Sequence, residues 1–172
     1  GNLDCDYYVL KDNLEKAKEH FKDVPRMLKA FEHWFGPYPF YEDSYKLVEA
    51  PYLGMEHQSC VTYGNQFQKG YLGNDLSGTG WGLKFDFIIV HESGHEWFAN
   101  NITYKDIADM WIHESFTNYS ESLFGEYYYG KEAGAEYVRG TRKGIKNDKP
   151  IIGHYDVNNE GSGDMYPKGG NM

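Results

Sequence analysis

Only two cysteines, Cys5 and Cys60, occur in 172 residues, and neither sits in a C-x-x-C pair. They define no disulfide framework. No run of about eighteen apolar residues is present, so no segment reads as a membrane-spanning helix. An N-terminal methionine and a signal-peptide pattern are also lacking, and the chain reads as a segment excised from something longer. Its compartment is left open. Basic charge is in the minority: 17 Lys and Arg against 26 Asp and Glu give a net charge of −9. That balance argues against nucleic acid and anionic membrane as partners. It is compatible with a site that attracts cations such as a free α-amine, and equally with a solvated acidic surface. Internal repeats and low-complexity tracts are absent.

The composition is otherwise that of a globular protein, 40% hydrophobic and 25% charged. Residues 1–172 read as one domain or part of one, long enough to bury a sizeable core. The aromatic share of 17%, with sixteen tyrosines, suits clefts and packed helix contacts.

The chemistry concentrates in His91-Glu92-Ser93-Gly94-His95. Two histidines four apart lie on one helix face, so both imidazoles can reach one ion. Glu92 points about a quarter-turn away, where it could hold a water bound to that ion. The surrounding segment, Asp86 to Asn101, predicts a helix that is apolar on most sides through Phe87, Ile88, Ile89, Val90, Trp97, Phe98 and Ala99. Such a helix is buried, and buried ionisable groups need partners or a metal.

Nineteen residues after His95, Glu114 offers a third, anionic ligand. Two imidazoles and one carboxylate, with the fourth position open, are the ligand set of a catalytic zinc. Glu114 opens a predicted helix over Trp111 to Tyr129. Its apolar stripe is Ile112, Phe116, Tyr119 and Leu123, with Glu114, Asn118 and Glu121 on the opposite side. That polar side is either a solvated face or the wall of a cleft holding the metal. Glu121 is a candidate carboxylate for orienting a ligand histidine.

Elsewhere, Lys11 to Phe35 predicts one or two helices broken near Pro25 and ended by Gly36-Pro37. His20 and His33 read there as ordinary helix residues. Tyr45 to Val48 has strand character, and Tyr52 to Thr62 predicts a neighbouring strand. The glycine-rich stretch Gly64 to Gly82 is a loop; it lacks the Lys-Ser/Thr and the strand-turn-helix setting of a phosphate cradle. Lys131 to Lys146 predicts a helix, Asp148 to Gly163 a polar loop holding His154, and Asp164 onward the start of another helix.

Four blocks together resemble the gluzincin aminopeptidases, the family of aminopeptidase N and leukotriene hydrolase. HESGHEWFANNIT, His91 to Thr103, resembles the family's HExxHxWFGNxVT. WIHESFTNYSE, Trp111 to Glu121, is similar to WLNEGFAxYxE. LGMEH, Leu53 to His57, is similar to GxMEN, and Tyr166-Pro167-Lys168-Gly169 to Y-x-K-G. Leu53, His57, Ala99 and His113 depart from the family's Gly, Asn, Gly and Asn, and Glu114 to Tyr166 is a shorter interval than the family's.

The resemblance implies an α+β fold: a thermolysin-like zincin catalytic domain, mainly helical, with a small β-sheet on its N-terminal side, truncated at the C-terminus. It implies one zinc on His91, His95 and Glu114, with Glu92 as general base and Tyr166 as oxyanion donor. Gly54, Met55 and Glu56 would bind substrate, Glu56 through the free α-ammonium of a peptide. It further implies flanking domains that pack on this segment. A thermolysin-type endopeptidase and a non-catalytic interaction domain that keeps the fold are the alternative readings.

Overall fold

The computed structural model describes residues 2–172. Its architecture is helix-rich with one small sheet. Strand β1 (Cys5–Tyr8) is followed by helices α1 (Leu14–His20) and α2 (Asp23–Phe35), then by β2 (Tyr45–Glu49), β3 (Gly54–Met55) and β4 (Val61–Tyr63). The sheet order is β1-β2-β4-β3. The first three neighbours run parallel, and β3 joins antiparallel to β4 with Met55 opposite Thr62. The predicted strand over Tyr52 to Thr62 is therefore two short strands with a turn between them. β1, at the sheet's edge with Tyr7 and Tyr8 exposed, has no strand-like alternation of burial that would mark it in the sequence.

A thirteen-residue helix such as α2 is marginal alone and is held by packing. Val24, Met27, Leu28 and Phe31 recur on one face and are buried. The break from α1 falls at Phe21–Lys22, and Pro25 sits in the first turn of α2, where a missing N–H costs little.

α3 (Phe87–Gly94) runs through the middle of the molecule, in contact with β3, β4, α2 and α4 (Trp111–Tyr129). Ile88, Ile89 and Val90 are at most 1% exposed, as a helix apolar on most sides requires. Its N-terminus is fixed by buried Asp86, whose side chain accepts from Ile89 N (3.1 Å), Tyr63 Oη (2.7 Å) and Asn65 Nδ2 (3.0 Å). The fourth contact is His20 Nε2 at 2.5 Å. His20 is thus no ordinary helix residue, since it helps satisfy the buried charge that caps α3.

The predicted helix to Asn101 is interrupted. After Gly94 the chain makes one wide irregular turn over Glu96–Asn101, in which Phe98 (φ −117°, ψ 67°) and Ala99 leave helical geometry. The break frees the Phe98 carbonyl to turn back on His95, as described below.

α4 matches its predicted bounds, and of the two readings of its polar side the inward-facing one holds, with Glu114 and Glu121 buried against His91. Phe116 and Tyr119 of the apolar stripe are 47% and 45% exposed. His113, Glu114, Ser115, Thr117, Ser120, Glu121 and Ser122 are buried with Phe124 and Gly125. A 3.6-residue apolar stripe normally marks the buried face. Here Glu114, Thr117 and Glu121 turn inwards to His91 and His95, and Phe116 and Tyr119 are left facing out while Phe124 stays buried. α5 (Lys131–Thr141) ends five residues before its predicted limit, and α6 (Pro167–Asn171) closes the chain against α4.

Candidate metal centre

α3 presents His91, its C-terminal cap residue His95 follows one turn later, and α4 crosses so that Glu114 meets both. His91 Nε2 lies 3.3 Å and His95 Nε2 3.4 Å from Glu114 Oε2. A tetrahedral ion with bonds of about 2.0–2.1 Å needs ligand atoms about 3.3–3.4 Å apart. All three residues are at least 94% buried. Burial would raise the Glu114 carboxyl, but His91 and His95 outweigh it and hold it well below the carboxylate range. The donor set, two nitrogens and one anionic oxygen, fits zinc.

The outer nitrogens are also held. His91 Nδ1 is 2.8 Å from Glu121 Oε1, while His95 Nδ1 faces both the Phe98 carbonyl and Thr117 Oγ1 at 3.1 Å. Each imidazole therefore has an acceptor for its Nδ1–H, which leaves Nε2 with a lone pair turned towards Glu114. Glu121 answers to its sequence reading. Thr117 and Phe98 do not follow from the motif; Thr117 lies three residues past Glu114 on the same face of α4, the one signal that could have found it.

Glu92, Glu56 and His95 offer atoms all within 4.8 Å of one another. Burial raises the Glu92 carboxyl, partly offset by His91 and His95 and reinforced by Glu56. Glu56 follows β3 directly, and its carbonyl accepts from Asn100 Nδ2 at 2.9 Å, which ties that strand end to the turn beyond α3. Met55 is 42% exposed beside it. Gly54 meets α3 so closely that a Cβ there would come within 3.1 Å of Glu92 Cγ.

Tyr166 is brought in from the far end of the chain. Its ring centroid is 6.3 Å from that of His91. Burial, together with the charge of Glu114, holds its hydroxyl protonated far above the ordinary range. Two contacts fix the segment on α4: Ser115 Oγ donates to the Met165 carbonyl at 2.8 Å, and Gly169 lies where a Cβ would overlap Ser115 Oγ. His113 stacks on Tyr104 at 4.2 Å and accepts from its backbone N–H at 3.1 Å. Burial, with His95 adding to it, pushes its pKa down to about 4, so it is a neutral brace for the loop before α4.

Residues 19–165 match the Peptidase family M1 domain. The chain belongs to this family. Aminopeptidase B of Rattus norvegicus is 31% identical over 128 residues, 70% of this M1 chain and 18% of the relative. Leukotriene A-4 hydrolase of Xenopus laevis is 28% identical over 145 residues, 83% of this chain and 22% of the relative. The M1 chain spans about a fifth of the length of these curated relatives. Among solved structures, native yeast LTA4 hydrolase is similar over 97% of this chain and 28% of that one, with TM-score 0.72 at 18% identity. A mutant M1 zinc metallopeptidase from Deinococcus radiodurans, bound to a Tyr-Ser-Ala substrate, is similar over 84% and 30%, with TM-score 0.58 at 23% identity. At these identities the likeness is one of fold. No helix among the described residues is long and apolar enough to cross a membrane.

Proposed function

We propose that this chain is the thermolysin-like catalytic segment of a zinc aminopeptidase that hydrolyses the N-terminal peptide bond of peptides. The observation that carries the reading is the spacing of His91 Nε2, His95 Nε2 and Glu114 Oε2, with Glu92 and Glu56 gathered at the same corner. His91, His95 and Glu114 would hold one zinc. Bound there, zinc lowers the pKa of a water towards about 7 and polarises a carbonyl.

Glu92 acts as general base on the attacking water and returns the proton to the leaving amine. Its raised pKa suits both directions of transfer. Glu56 pairs with the free α-ammonium and so places the first peptide bond, and not a later one, against Glu92. Met55 and Gly54 form the strand alongside the substrate. Tyr166, a neutral hydroxyl near Glu114, donates to the developing oxyanion. Further parts of the same protein, packed on the exposed apolar face around Phe116 and Tyr119, belong to the same proposal.

Peptides of one sequence with free and with acetylated N-termini separate this from a thermolysin-type endopeptidase. The free peptide should be cleaved at least 100-fold faster, and Glu56→Ala should remove most of that preference. Equal rates on both peptides would assign the endopeptidase reading instead.

A further inference from the structure

Tyr137 lies on α5, a helix that supplies none of the groups named above. Its hydroxyl donates to Glu121 Oε2 at 2.7 Å, while Glu121 Oε1 faces His91 Nδ1 at 2.8 Å and accepts from Asn118 Nδ2 at 3.1 Å. Both oxygens of the carboxylate are therefore fixed, one towards the imidazole and one towards α5. We propose that Tyr137 is a positioning residue for the metal centre, acting through Glu121 on the orientation of His91.

The packing supports a built contact. α4 and α5 approach closely where Gly125 faces Gly134, and a Cβ on Gly134 would come within 2.9 Å of the Ser122 carbonyl. One turn beyond Gly134, that approach lays Tyr137 over Glu121. The ring is locked against Phe85, at 5.9 Å between centroids, and Phe85 in turn against Phe124 at 5.1 Å. Tyr137 is 2% exposed, so water cannot replace its hydroxyl without repacking. Burial, with the Glu121 charge adding to it, keeps that hydroxyl protonated and a donor.

Without it, Glu121 Oε2 stands in a buried site with no partner, and the carboxylate is held through Oε1 alone, so its orientation towards His91 is less firmly fixed. Outer partners of metal-ligating histidines typically carry about 10–100-fold of metal affinity. A partner one step further out should carry less, on the order of three- to tenfold. Nothing in the motif points to Tyr137, because it stands sixteen residues past Glu121 on a different helix.

The inference rests on the zinc reading, and its test keeps the two apart. Zinc dissociation constants are measured by chelator competition on the complete protein, as wild type, Tyr137→Phe, Glu121→Gln and the double variant, with melting of each metal-free form. One zinc bound per wild-type chain secures the underlying reading; none bound overturns that reading and this one with it. Tyr137→Phe should weaken zinc about three- to tenfold in the wild-type background. It should have no further effect on Glu121→Gln, because the route through the carboxylate is already lost. Affinity within twofold of wild type, or an equal loss in both backgrounds, overturns the role of Tyr137 while leaving the zinc site standing. If melting of the metal-free form also falls, the Glu121→Gln background still decides, since a purely structural defect would persist there.

Discussion

Gly54 and Glu92 are in contact across the junction of β3 and α3: a Cβ at Gly54 would lie 3.1 Å from Glu92 Cγ and 2.7 Å from Ile88 Cγ2. The glycine of the Leu53–His57 block thus has a packing reason as well as its proposed place beside substrate. Gly54→Ala should push the proposed base out of position while leaving the three ligand atoms alone. Overpacking of this kind costs about 1–3 kcal/mol. The expected result is a turnover number lowered at least tenfold with zinc content unchanged, measured by steady-state kinetics and metal analysis. Unchanged turnover would separate Gly54 from Glu92 function.

Tyr166 reaches the site only because Gly169 lets its segment lie on Ser115. Tyr166→Phe keeps the ring and removes the donor, so kcat should fall by roughly 10²–10³ with KM changed little. Gly169→Ala should reproduce much of that loss, because a Cβ there cannot coexist with Ser115 Oγ. Wild-type kcat in Tyr166→Phe would exclude it as the oxyanion donor.

Glu96 gives a prediction about pH and stability. It is buried, accepts from Ser59 N at 2.8 Å, and burial raises its pKa from an ordinary 4.5 to about 7. Between those two values the folded chain binds a proton that the unfolded chain releases. Its favourable contribution is full below about pH 4.5 and is lost as pH rises through about 7. Glu96→Gln should therefore gain stability relative to wild type as pH rises from 5 to 8. Parallel denaturation curves for the two proteins across that range would contradict the assignment.

The order and type of the main helices, and the convergence of His91, His95 and Glu114, were legible because each rests on local periodicity or on fixed spacing. His91, His95 and Glu114 needed only a turn of helix and a second helix to carry the carboxylate back. The outward turn of Phe116 and Tyr119 was not legible. The buried side of α4 carries Glu114, Thr117 and Glu121 bonded to His91, His95 and Tyr137, and satisfied hydrogen bonds there override the stripe of Phe116 and Tyr119. His20 illustrates the same limit: its partner Asp86 is sixty-six residues away, and no local pattern joins them. The break at Phe98–Ala99 lies where a carbonyl is needed by His95, a tertiary demand that apolar periodicity does not register.

Glu92 is proposed to move protons for a metal held by other side chains. Glu92→Gln tests it most directly, with zinc content and aminoacyl-substrate hydrolysis measured on the same sample of the complete protein. One zinc per chain and turnover reduced by at least about 10³ are expected, since the amide keeps the shape and cannot take a proton. Turnover comparable to wild type with zinc in place would contradict it.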